Sequence, residues 1–251
     1  YTRHPNEIIR QVAQYSKPRD TLPIDKWDFD SGSIHLIGVR REQDVGVGRR
    51  ENNDIFILLI NGLVFKFWGS TDPSQSMTSR PDEAFLVEGQ HKYRFGWHKI
   101  TNEGKVYRAL KPYRNGVLVY RDRDNDNALT DADIAMGIDP SPNFTINIHW
   151  SGIGSTNFSA GCQVIAGKSY INHRDDVIDC SEFAARSYSS LNKEHRKTKG
   201  AYNIFTDLIL AYARPGVDFV HYTLGRESSL RVDASLGDAC AKKTLSRMKN
   251  A

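Results

Sequence analysis

The segment Ile146–Ile165, INIHWSGIGSTNFSAGCQVI, decides how this chain is read. Two apolar, β-branched runs, INIHW and CQVI, flank a linker rich in Ser, Gly, Thr and Asn. That pattern predicts two strands joined through a loop. Period-two alternation puts Thr145, Asn147 and His149 on one face of the first strand. If the second strand lies beside it, His149 can stand across from Cys162, thirteen residues further on. A thiol attacks a carbonyl as the thiolate, so a catalytic Cys needs a base or a lowered pKa. It also needs donors aimed at the developing oxyanion. Gly161 permits a turn there that a bulkier residue would resist, and the N–H groups around Gly161 and Cys162 are the expected oxyanion hole. The competing reading is a buried structural thiol, because free Cys is among the most buried residue types.

Strand signals surround this segment. SIHLIGVRR is a β-branched run, and NDIFILLINGLVFKFWGS reads as two strands meeting at Asn61-Gly62, a two-residue hairpin cue. EAFLVEGQHKYRFGWHKI, VYRALKPY and GVLVYRDR add further strands, and VDFVHYTLG reads as a closing one. Helical spacing is expected in PNEIIRQVAQYS, in DDVIDCSEFAARSYSSL, in IFTDLILAYAR and in the C-terminal tail. The resulting expectation is a predominantly β, α+β fold. Its parts are a helical N-terminal segment over 1–30, a main domain over 31–225 and a helical tail over 226–251.

The 251 residues are 39% hydrophobic and 25% charged, enough apolar content for a sizeable core. The net charge of +4 is mild. Basic residues are scattered beside acids and do not cluster with aromatics, so nucleic-acid binding is not expected. No run approaches the ~18 apolar residues of a membrane-spanning helix. Phosphate-loop, dinucleotide and zinc patterns are absent.

The Cys region resembles the catalytic motif of the L,D-transpeptidase catalytic-domain family. That motif has an upstream His on one strand, a loop, then Ser-His-Gly-Cys. Here His149, Ser159, Gly161 and Cys162 match, and the order of strands, helix and final strand agrees over Ser33–Leu224. The resemblance implies a β-sandwich or barrel with flanking helices, a periplasmic or secreted location, and peptidoglycan as partner. It implies a cysteine enzyme that cleaves the stem peptide through a thioester and passes the acyl group to an amine or to water. Two departures stand out. The His before Gly-Cys, which the resemblance would offer as base, is Ala160. The Arg after the Cys is missing, with Gln163 and Val164 in that stretch. The base role then falls to His149, with His98 and His221 as reserves, and Ser159 and Gly161 shape the site. Gln163, Trp150 and His98 are the candidate substrate contacts. A cell-wall-degrading cysteine hydrolase (a lysin or toxin) and a non-catalytic peptidoglycan- or glycan-binding module are the alternatives.

Two smaller expectations remain. Of the three Cys, Cys180 and Cys240 are paired as a candidate disulfide, leaving Cys162 free. No cofactor is required, but DRDNDNALTDAD places Asp122, Asp124, Asp126, Thr130 and Asp133 at positions 1, 3, 5, 9 and 12 of a calcium loop. Asn127 stands where that loop usually has Gly, and a solvated acidic turn is the competing reading.

Overall fold

The structure is a computed structural model that describes residues 5–41, 52–74, 81–100, 105–153, 157, 159–187, 190–191 and 197–230. The chain is predominantly β, with few helices. Eleven strands are present among these residues: β1 (His35–Arg40), β2 (Asp54–Ile60), β3 (Leu63–Ser70), β4 (Ala84–Leu86), β5 (Gly89–Ile100), β6 (Lys105–Pro112), β7 (Val119–Arg121), β8 (Ile148–Trp150), β9 (Gln163–Ile171), β10 (Val177–Asp179) and β11 (Val220–Arg226). Helices among these residues include α1 (Pro5–Arg19), α2 (Asp131–Met136), α3 (Ala201–Tyr212) and the short α4 (Glu227–Leu230).

Eight strands close on themselves in the order β9-β3-β2-β1-β11-β5-β6-β8, with β8 pairing back to β9 and β10 extending the far half of β9. The β1–β11 and β8–β9 pairs are parallel, and the other pairs are antiparallel. Alternation fixes which side chains fill the barrel. Along β2, Phe56, Leu58 and Ile60 are buried and the residues between them are half-buried. Tyr93, Leu110, Ile148, Trp150, Ile165, Tyr222 and Leu224 join this core. Asn61 and Gly62 both adopt positive φ, 50° and 76°, so the Asn-Gly pair turns β2 into β3 as its sequence requires.

Helix α3 packs Phe205 edge-on against Phe67 of β3 and buries Ile209 in the same core. A second apolar cluster lies beside the barrel. There Ile8 and Val12 of α1 meet Phe85, Val87, Leu118, Tyr120, Ile134 and Ile138 around the small β4–β7 sheet. An ion pair between Glu88 and Arg226, 2.6 Å apart and buried at both ends, ties the β4–β5 junction to β11.

One helical expectation is corrected. Through residue 187, DDVIDCSEFAARSYSSL is not a helix: Val177–Asp179 forms β10 against β9, and turns follow. Pairing with Ser169, Tyr170 and Ile171 outweighs helical spacing in a segment this short. The tail beyond residue 230 lies outside the described residues, and so does Cys240.

Candidate functional site

Cys162 sits immediately before β9, at the rim of the barrel and partly exposed. The parallel register pairs Ile148 with Gln163 and His149 with Val164, so Cys162 lies beside Asn147. Its sulfur is held by the β8 chain from both sides. The Asn147 N–H donates to Sγ at 3.3 Å, and the thiol donates to the Thr145 carbonyl at 3.3 Å.

Two glycines shape this rim. Gly161 has φ +126°, and a Cβ there would meet the Ala84 carbonyl oxygen and Ile146 at 3.0 Å. At Gly69 a Cβ would fall 1.9 Å from the Val164 carbonyl oxygen, so only glycine lets β3 approach β9 this closely. The register irregularity between Phe67 and Gly69 lies at the same place. Ser159 is buried. Its N–H donates to Asn157 Oδ1 and its carbonyl accepts from the Ser74 N–H, while its hydroxyl has no partner among the described residues.

His149 shares the outer face of β8 with Asn147, one alternation further along. Its Nδ1 lies 2.9 Å from the Trp150 carbonyl oxygen and 3.2 Å from the Tyr107 hydroxyl. A carbonyl only accepts, so Nδ1 carries the hydrogen and Nε2 holds the lone pair. Burial, with His98 stacked 4.3 Å away, pushes its pKa down to about 3, so the ring is neutral at ordinary pH. His98 is shifted down as well, by burial and by Lys111. No hydrogen bond joins Cys162 to His149 among the described residues. They stand as diagonal neighbours: Cys162 lies beside Asn147, and His149 is paired with Val164, two positions further along.

Several expected site residues lie elsewhere. Gln163 points into the barrel and is fully buried. It donates to the Thr71 carbonyl at 3.0 Å and accepts from the Tyr222 hydroxyl at 3.0 Å. Trp150 is 0% exposed and belongs to the core. Neither can floor a substrate groove, and alternation is the reason: both occupy inward positions on the strands whose outward positions carry the site. His221 is on β11, four strands from β9 in either direction around the barrel, and stacks on His35 at 5.0 Å. As a reserve base it is too remote, which leaves His98 beside His149. Cys180 is buried, and burial raises its thiol pKa to about 11.

Carboxylate oxygens of Asp122, Asp124 and Asp126 lie within 4.8 Å of one another, Asn127 has φ 61°, and the Asp122 carboxylate accepts from the Asp126 and Asn127 N–H groups, as in an acidic turn. Asp133 stands outside that group. Its oxygens accept from the Thr130 N–H, the Thr130 hydroxyl and the Arg123 N–H, which makes it the N3 member of the capping box that Thr130, the N-cap, opens at α2.

Sequence reasoning missed Tyr107, whose hydroxyl reaches the His149 ring from β6, and the Thr145 carbonyl that receives the thiol. Tyr107 lies 42 residues from His149, and no local pattern connects them. Comparison with known proteins found no matching family model, no matching curated protein and no matching solved structure.

Proposed function

We propose that this protein is a cysteine acyl-transfer enzyme of L,D-transpeptidase or L,D-carboxypeptidase type, acting on peptidoglycan stem peptides outside the cytoplasm. The observation that carries the reading is the placement of Cys162. It is a partly exposed thiol at a barrel rim, with a backbone N–H on its sulfur and a neutral, tautomer-fixed His149 on the same face.

In this reading His149 Nε2 takes the thiol proton as Sγ attacks the carbonyl carbon of the scissile amide. The Asn147 N–H, already on Sγ, stabilises the growing thiolate. The imidazolium then gives its proton to the leaving amine as the C–N bond breaks, leaving a thioester on Cys162. An amine acceptor or water attacks that thioester, its proton passes to His149, and the thiolate leaves. Burial disfavours imidazolium by itself, so protonation of His149 becomes favourable only with the thiolate beside it. Proton transfer is thereby coupled to attack.

The test is turnover of purified muropeptides. Cys162→Ala abolishes it in this reading, and retained turnover removes Cys162 as nucleophile.

A further inference from the structure

A cavity of about 460 Å³ opens at the rim opposite Cys162. Its apolar wall is Ile34, Phe95, Ile209, Val217 and Val220, contributed by the residue before β1, by β5, by α3, by the approach to β11 and by the first residue of β11. The registers place it. Ile34 and Val220 lie at the Asn61–Gly62 end of the barrel, since His35 pairs with Leu59, whereas Val164, near Cys162, pairs with Ser70 at the other end. No lining residue belongs to the thiol site.

The mouth is cationic. Arg94 and Arg114 both line the cavity and both are exposed. Neither forms an ion pair among the described residues; Arg114 lies over the Tyr113 ring at 5.1 Å. One carboxylate, Asp218, shares the mouth and accepts from the Tyr113 hydroxyl at 3.4 Å. Two guanidinium groups against one carboxylate leave net positive charge over an apolar chamber. The volume falls within the ~300–1,000 Å³ range of small-molecule pockets.

We propose that this cavity binds a small amphiphilic monoanion, with an aromatic or branched apolar body in the chamber and its anionic group between Arg94 and Arg114. Guanidinium groups suit a carboxylate or sulfonate because they offer paired N–H donors in a plane. A polar, neutral molecule would gain nothing from the apolar wall, and an uncharged apolar one would leave the arginines unused.

The test uses two fluorescent probes of similar body, the sulfonate 1-anilinonaphthalene-8-sulfonate and the neutral N-phenyl-1-naphthylamine. The full chain is titrated with each under conditions where thermal unfolding shows a native transition. The sulfonate is expected to bind saturably with one site per chain, at least about tenfold more tightly than the neutral probe. Arg94→Glu/Arg114→Glu should weaken it by at least about tenfold with the unfolding transition unchanged. Ala213→Trp, which fills the chamber from its rim, should block both probes. Equal affinity for the two probes, unaltered binding to the double variant, or absence of saturable binding overturns the proposal.

Discussion

The Asn147 amide donates to the sulfur of Cys162 across the parallel β8–β9 pair, at 3.3 Å. Because the same sulfur donates to the Thr145 carbonyl, the resting thiol is held by a donor and an acceptor on the segment that leads into β8. Deprotonation breaks the contact to Thr145 and strengthens the one to Asn147. The barrel therefore carries a backbone donor on the sulfur, and such a donor favours the thiolate over the thiol.

His149 is expected to act as base, and its removal tests that role apart from the nucleophile. His149→Ala should lower muropeptide turnover by at least about 10²-fold, typical of a lost general base. Tyr107→Phe, which removes only the hydroxyl beside Nδ1, should cost less. Because burial holds the imidazole near a pKa of 3, its titration should leave no break in the pH–rate profile of the free enzyme near 6.5. A near-normal rate for His149→Ala would pass the role to His98.

Acid should destabilise the fold. Burial pushes His91 down to about 4, His221 to about 4 and His149 to about 3. In the unfolded chain each titrates near ~6.5. Below that pH the unfolded state takes up protons that the folded state refuses, so their contribution is complete above about 6.5 and is lost as pH falls toward 4. His91 alone accounts for on the order of 3 kcal/mol. Asp54 works in the opposite sense. Burial and the Asp72 carboxylate raise it to about 6, so its contribution is present at low pH and is lost as pH rises through 6. The three His outweigh the one Asp, and the midpoint of thermal unfolding should fall between pH 7 and 4.5. His91→Gln should flatten that fall, and an unchanged slope would remove His91 as a cause.

Gln163 should behave as a structural residue. Gln163→Leu removes the acceptor of the buried Tyr222 hydroxyl and one of the donors to the Thr71 carbonyl, which keeps Arg40 Nη2 at 3.0 Å, a loss of about 1–3 kcal/mol by chemical denaturation. With its side chain turned inward, the KM for muropeptides should stay close to that of the parent. A large rise in KM with unchanged stability would place Gln163 on the substrate instead.

Gly69→Ala should be felt at the thiol, although Gly69 is on another strand. The added methyl would meet the Val164 carbonyl oxygen 1.9 Å away, forcing β3 and β9 apart beside Cys162. Overpacking of this kind costs roughly 1–3 kcal/mol. Alkylation of Cys162 by a small thiol reagent should change in rate along with the drop in unfolding midpoint.

Much of the fold was legible because strand periodicity and turn chemistry act locally. The Asn61-Gly62 hairpin, the alternating β2 face and the Cys162 turn follow from residues within a few positions of each other. His149 and Cys162 could be placed on one face because His149 lies on β8 and Cys162 immediately precedes β9, strands that pair within a single loop closure. What stayed hidden depends on distant chain. Which face of β8 points inward decides that Trp150 is core and His149 is not, and only barrel closure determines that. Val177–Asp179 became a strand because β9 offered an edge, a fact absent from its own spacing. Tyr107, Tyr222 and Thr71 gain their roles from strands tens of residues away.

The central claim is a reactive acyl-accepting thiol at residue 162. The most direct measurement is intact-protein mass spectrometry after incubation with a carbapenem-type acylating probe, with peptide mapping of the adduct. One adduct per chain, mapped to Cys162 and absent from Cys162→Ala, is the expected result. An unmodified parent protein, or the same adduct on Cys162→Ala, would contradict it.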